Sequence, residues 1–296
     1  MDVLVTGGTG FIGTHLCREL VDRGHDVTAL SRDPDPKAVP AAVEVAVGDV
    51  TAYDSIEGAV EGVDAVVHLV ALSPLFQPSG GAHRHAEVHR DGTENVVRAA
   101  ETAGVDRLVH LSALDADPDG PTAYLRAKGE AEEIVRDSSL DWTVFRPSVI
   151  FGDGGEFVSF TRTLTPPLVA PLPGGGRTRF QPIWVGDAVE LFADALAGDD
   201  HVGEVYEIGG PEVLSLADVA RMAARAEGGS VQVVPIPMSL AGLGMSVAGA
   251  IPGVPFGRDQ YRSLQIDNTA PDNDVAAFGV ETGDLTTLGS YLGLDG

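Results

Sequence analysis

Short apolar runs alternate with amphipathic stretches along the first half of the chain. Val3–Thr6 reads as a strand, Phe11–Arg23 as a helix and Asp26–Ser31 as the next strand. A short strand at Val43–Val47, a helix near Asp54–Val60 and a strand at Ala65–Leu69 follow. A long helix is predicted over His85–Ala103, closed by Gly104 as its C-cap. Strand Arg107–Ser112, helix Thr122–Ser138 and strand Trp142–Arg146 complete the series. The strands are near-continuous Val/Leu runs, as parallel strands covered on both faces require. Alternation of this kind predicts an α/β fold with a doubly wound parallel sheet.

The texture changes after Phe151. Pro166-Pro167, Pro171, Pro173 and Gly174–Gly176 mark a loop-rich region. Helices at Asp187–Ala197 and Leu216–Ala226, with a strand at Val205–Ile208, suggest a smaller lobe. The expected division is therefore 1–150 and 151–296, with elements near 180–210 returning to the main domain. Val231 to Gly257 carries no charge, but its four prolines and five glycines make a poor spanning helix. An apolar flap is the better reading.

Charge changes the picture most. Asp and Glu number 44 against 19 Lys and Arg, for a formal charge of -25 and a pI near 4.4. Such a field repels phosphate backbones and anionic lipid, which argues against nucleic acid and against peripheral or inserted membrane association. Lysine occurs only at Lys37 and Lys128. Acid excess with lysine scarcity predicts a protein built for molar salt, where carboxylate repulsion is screened; a haloarchaeal source is expected. The single cysteine, Cys17, excludes an internal disulfide and a cysteine metal cluster. The first strand begins at Asp2, so no signal peptide and a cytoplasmic location are expected.

Between the first strand and first helix lies Thr6-Gly7-Gly8-Thr9-Gly10-Phe11-Ile12-Gly13. Gly7, Gly10 and Gly13 give a G-x-x-G-x-x-G spacing. Glycines there allow a tight turn, let the backbone approach a pyrophosphate and bring helix and strand close. The phosphates would sit at the positive helix end. In this strand–turn–helix context the motif predicts dinucleotide binding and a Rossmann-type sheet. The second strand ends Leu30-Ser31-Arg32, with no acid at the usual place for a ribose 2′-hydroxyl. Arg32 suits a 2′-phosphate, so NADP(H) is preferred; Asp33 just beyond keeps NAD(H) open. Asp49, after the third strand, reads equally as a partner for the adenine amino group or as a loop cap.

Tyr124 and Lys128 form a Tyr-x-x-x-Lys pair, and four residues apart they share one helix face. A nearby ammonium favours the phenolate, so the expectation is a tyrosine pKa lowered toward working pH. That would make Tyr124 a proton donor and acceptor.

These residues resemble an extended or atypical short-chain dehydrogenase/reductase, of the NAD-dependent epimerase/dehydratase-like kind. The matching elements are TGGTGFIG at 6–13, GDV at 48–50, HLVA at 68–71, LSAL at 111–114, YLRAK at 124–128 and RPSVIFG at 146–152. More narrowly, EVHRDGTENVVRAA at 87–100, PLPGGGRTRFQPIWVGDAVE at 171–190 and GRDQYRSLQIDN at 257–268 are similar to the group named for the Rossmann-type accessory subunit of respiratory complex I. The resemblance implies Tyr124 as acid/base, Lys128 as ribose ligand and tuner, and Ser112 as the hydroxyl facing a substrate carbonyl. It further implies cofactor contacts at Gly7, Thr9, Gly10, Phe11, Ile12, Gly13, Ser31, Arg32, Asp49, Val50, Leu69, Val70, Ala71, Lys128, Pro147 and Ser148. Two positions depart from the family pattern. Extended enzymes commonly place the working hydroxyl where this chain has Leu114, and sugar-nucleotide epimerases carry Asn where it has His89. His83, His85 and His89 lack metal-ligand companions and read as a polar helix start, with no metal expected. Asp187 reads as a helix N-cap.

Three functions are expected from this. The first is an NADP(H)-dependent oxidoreductase acting on a small, partly apolar carbonyl or hydroxyl compound, its substrate face built from Leu72–Phe76, Phe151–Phe160 and the flap at 236–256. The second, implied by the complex I-like resemblance, is a non-catalytic NADP(H)-holding subunit associated with a respiratory or quinone-synthesis assembly. The third is a nucleotide-sugar epimerase or dehydratase, whose diphosphate clamp would draw on Arg177 and Arg179.

Overall fold

The computed structural model describes residues 1–164, 168–242 and 257–294. The chain divides into two compact units. One comprises residues 1–72, 82–146 and 188–206; the other comprises 73–81, 147–187 and 207–296.

The first unit is built on a seven-stranded sheet. Its strands are β1 (Asp2–Thr6), β2 (Asp26–Ser31), β3 (Glu44–Val47), β4 (Ala65–His68), β5 (Arg107–Leu111), β6 (Asp141–Pro147) and a last strand, Glu204–Ile208. They lie in the order 3-2-1-4-5-6 with the last strand beyond β6, and the pairs among β1–β6 are parallel. The order reverses beside β1, which makes the carboxyl end of that strand the topological switch point where ligands bind in such sheets. All residues of β4 and β5 are buried, as the apolar runs require. Each buried Val or Leu there contributes roughly 1.5–3 kcal/mol relative to an exposed one.

Helix α1 (Phe11–Asp22) buries Gly13, Leu16, Cys17 and Leu20 along one stripe. The helix expected over His85–Ala103 is composite. A short α2 (His83–His85) runs into a π-helical turn, Ala86–Asp91, and then into α3 (Gly92–Ala103). Gly104 ends it in the left-handed conformation, φ 74°, as the sequence predicts. Helix α4 (Ala123–Arg136) starts where the Thr122 side chain accepts the Leu125 amide at 3.2 Å. The helix expected near Asp54–Val60 is instead two 3₁₀ turns, Tyr53–Ser55 and Glu57–Val60. Seven residues holding Ser55 and Gly58 cannot repay helix nucleation.

Among its described residues the second unit contains three two-stranded ribbons, one of them Leu168–Pro173 beside Val231–Ile236. Its core gathers Phe151, Phe157, Leu172, Phe180, Val219, Ala220 and Leu288. Helix Leu216–Ala226 starts with a capping box, Ser215 and Asp218 each accepting from the other's backbone. Asp187 is not an N-cap. It lies inside the helix Val185–Asp194, and its carboxylate accepts the Thr286 amide at 2.7 Å. Of the apolar flap at 236–256, residues 243 onward lie outside the described residues. No helix among the described residues is long and apolar enough to cross a membrane.

Candidate functional site

The glycine loop closes tightly on the switch point. The Gly7 amide donates to Leu30 O at 2.8 Å and the Gly10 amide to Gly7 O at 2.9 Å. Gly7 has φ 76°, which a side chain would resist. A Cβ on Gly13 would stand 2.2 Å from Gly7 O and 2.6 Å from Gly8 Cα, so α1 approaches the loop more closely than any other residue permits. Gly10 is the N-cap, no side chain caps α1, and no acid lies in its first turn. In a chain with 44 acids, the amides of Phe11, Ile12 and Gly13 thus form an open positive end. The fit to a dinucleotide phosphate is good.

Around this loop the expected ligand positions fall as follows. Ser31 Oγ accepts from Thr9 Oγ1 at 2.8 Å and from the Thr9 amide at 3.3 Å, pinning the loop to the end of β2. Arg32 is exposed and forms no ion pair with a described residue. Asp49 Oδ1 accepts the amide and hydroxyl of Thr51 at 3.0 and 2.8 Å, capping the loop after β3. Val50 is buried against Gly92. Leu69 is buried, Val70 lies against Gly7, and Ala71 is exposed.

Pro147 and Ser148 belong to the second unit and are buried. Ser148 Oγ lies 2.8 Å from both Asn268 O and Asn268 Oδ1 and accepts the Gln181 amide at 3.1 Å. That hydroxyl is engaged within its own unit. Arg179 is also engaged, with Nε and Nη2 on Asp267 Oδ2 at 2.8 and 2.7 Å. Arg177 is exposed.

Tyr124 and Lys128 occupy the first two turns of α4. Lys128 is 1 % exposed, and its Nζ donates to Leu111 O at 2.6 Å. Burial lowers its pKa to about 8, with Glu132 one turn on opposing the shift. Tyr124 keeps some exposed surface, yet its dense surroundings push the phenol well above its ordinary value. The expected lowering by Lys128 is therefore corrected: burial raises the phenol, and the hydrogen bond of the ammonium is turned to Leu111. Ser112 Oγ donates to Glu132 Oε1. The buried Glu132 also receives Arg146 Nε at 2.9 Å, Arg146 Nη2 at 2.7 Å and Arg136 Nη2 at 2.9 Å. Ser112 thus faces a buried ionic network, and its proton is spent there.

Sequence reasoning missed the histidines. His85 and His89 are 2 % and 1 % exposed, so they are not a polar helix start. Their rings meet the Tyr124 ring edge-on, at centroid distances of 5.7 and 5.3 Å. His68 and His110, buried and in register on β4 and β5, stack at 5.4 Å. Burial, and the Lys128 charge second, hold the pKa of His68 down at about 3 and that of His110 far below its usual value. The signal was present: Val66-Val67-His68-Leu69 and Leu108-Val109-His110-Leu111 place a histidine at the same step of adjacent strands. Among the described residues no three His, Cys, Asp or Glu side chains converge as metal ligands.

Switch-point glycine loop, open helix end and seven-stranded sheet define a nucleotide-binding α/β protein of Rossmann type. The chain belongs to the NAD(P)H-binding family, whose pattern matches residues 7–164, more than half of its length. It is 27% identical over 227 residues to NADH dehydrogenase [ubiquinone] 1 alpha subcomplex subunit 9, mitochondrial, of Arabidopsis thaliana, a match spanning 74% of this chain and 56% of that protein. It is 30% identical over 253 residues to a 3 beta-hydroxysteroid dehydrogenase/Delta 5→4-isomerase of Mycobacterium tuberculosis, covering 74% of this chain and 67% of that one. Among solved structures, the Bordetella bronchiseptica enzyme WbmH superposes with a TM-score of 0.73 at 18% identity, over 98% of this chain and 95% of that one. This last likeness is one of fold.

Proposed function

We propose that the protein is an NADP(H)-dependent reductase of a small, partly apolar carbonyl compound. The Tyr124/Lys128 pair, four residues apart on one face of α4, carries this reading. The Tyr124 phenol is protonated at neutral pH and so has the proton that reduction of a carbonyl requires, while its burial makes it a weaker acid than a free phenol. A bound NADPH would supply the hydride to the carbonyl carbon. Tyr124 Oη gives its proton to the carbonyl oxygen as the alkoxide develops. Lys128, with a pKa near 8, stays mostly charged at neutral pH; with its hydrogen bond directed to Leu111 O, it would favour the phenolate left behind through its charge alone. Phe11, Ile12 and Gly13 present amides to phosphate, and Arg32, exposed and unpaired among described residues, meets a 2′-phosphate. The steroid dehydrogenase relative supports an apolar substrate.

The Arabidopsis subunit favours a second reading, a nucleotide-holding protein beside a respiratory or quinone-synthesis assembly. The nucleotide-sugar reading loses support from Arg179, whose charge is already met by Asp267. Single-turnover oxidation of bound NADPH by a panel of quinones, aldehydes, ketones and nucleotide-linked keto sugars distinguishes the three. Turnover with neutral carbonyls is expected. Tight NADPH binding with no oxidation by any of them favours the second reading, and reaction with the nucleotide-linked keto sugars alone the third.

A further inference from the structure

A row of hydrogen bonds crosses the interior of the first unit, and its direction can be worked out. Thr93 Oγ1 has one proton, which it gives to His89 O at 2.5 Å. Its contact with His68 Nε2 at 3.1 Å must then be accepted from Nε2–H. His68 Nδ1 is left bare and accepts from Thr6 Oγ1 at 2.6 Å. Thr6 is the residue before Gly7, so the row runs from the base of the glycine loop to the π-turn of the composite helix. His89 extends it. Its Nε2 accepts the amide of Leu72 at 2.8 Å, which puts the ring proton on Nδ1, an atom that is buried and without a partner among the described residues. The same ring stands edge-on to Tyr124 at 5.3 Å.

We propose that His89 is a positioning residue for Tyr124: as a neutral acceptor it ties the chain after β4 to the π-turn, and its fixed ring sets the Tyr124 ring. This rests on the reading of Tyr124 as the proton donor. Three observations support it independently. A histidine is a costly choice for an apolar interior unless a nitrogen is used. The π-turn, a geometry often found at functional sites, includes His89 itself. Leu72 follows Leu69–Ala71, the segment expected beside the cofactor, so one imidazole touches that segment and Tyr124 together. Burial first, then the nearby Lys128, His85 and His68, keeps the ring neutral and able to accept.

His89→Gln places an amide oxygen near the position of Nε2, whereas His89→Phe keeps an aromatic ring and removes the acceptor. Thermal melts establish that both variants fold. In His89→Phe the Leu72 amide should exchange with solvent about ten- to a hundredfold faster, because the donor is left unsatisfied. The carbon-13 resonance of the Tyr124 ring should shift or split, and oxidation of NADPH by a benzoquinone should slow by a similar factor. His89→Gln should recover the Leu72 protection and most of the rate. Added to Tyr124→Phe, the His89→Phe change should cost no further rate. Equal behaviour of the Gln and Phe variants, unchanged Leu72 exchange, an unmoved Tyr124 resonance, or a protonated Nε2 by nitrogen-15 NMR would each overturn the proposal. Full turnover in Tyr124→Phe alone would instead refute the proton-donor reading, and the exchange and resonance outcomes would still judge the tie.

Discussion

Gly13 and Gly10 look equivalent in the sequence motif and should differ in what their substitution does to stability. A Cβ on Gly13 lies 2.2 Å from Gly7 O and 2.6 Å from Gly8 Cα, so α1 must retreat by about 0.8 Å to reach even a 3.0 Å contact. Both obstacles are backbone and cannot rotate aside. Overpacking of this kind costs about 1–3 kcal/mol, a melting-point drop of about 2–12 °C at about 2–4 °C per kcal/mol. A Cβ on Gly10 meets only Gly7 O, at 3.1 Å, and its φ of -80° with ψ of -177° is open to any residue. Gly10→Ala should therefore cost less stability than Gly13→Ala, about 1 kcal/mol or less, since a single contact has to give by only a few tenths of an ångström. Its methyl group nonetheless stands at the helix end where the pyrophosphate would approach, so NADPH affinity should fall about tenfold or more. Gly13→Ala should lose both stability and affinity. Calorimetric melts and NADPH titrations measure the two quantities separately. A Gly13→Ala protein that melts like wild type, or a Gly10→Ala protein that binds like it, would refute the reasoning.

Three further outcomes follow from the charges. Lys128 has a folded pKa near 8 against 10.5 in solution, so between these values the unfolded chain binds more protons and stability rises with pH. Lys128→Met should be relatively most stable below pH 8 and lose that advantage as melts move toward about pH 10.5; an advantage independent of pH would contradict the burial argument. Arg32→Ala should weaken NADPH binding and spare NADH in calorimetry, and equal loss for both would remove Arg32 from the site. With a charge of -25, the melting temperature should fall steadily from molar salt to dilute buffer, and a flat profile would contradict the halophilic reading.

The sheet and its helices were legible because β1, β4 and β5 are covered on both faces and can only be apolar runs. The composite helix was not. Its π-turn coincides with bonds that His89 and Thr93 make across the interior, to Leu72 and His68, and no spacing on one helix reveals those. The glycine loop and the Tyr124/Lys128 pair could be read because backbone sterics and helical period fix them locally. The electrostatics of that pair could not, since the Tyr124 pKa depends on packing by His85 and His89 from another helix. Ser112, which the resemblance makes the hydroxyl facing a substrate carbonyl, shows the same limit: no spacing reveals that its proton goes to Glu132 on α4.

If Tyr124 delivers a proton, removing its hydroxyl oxygen removes the chemistry and leaves the ring in place. Wild type and Tyr124→Phe should be compared for NADPH affinity by calorimetry and for single-turnover oxidation of bound NADPH by whichever carbonyl compound the wild type reduces. Affinity should stay within about twofold and the rate should fall by about a hundredfold or more, since a positioned acid contributes roughly 10²–10⁴-fold. An unchanged rate, or a loss of affinity that accounts for the whole effect, would contradict proton delivery by Tyr124.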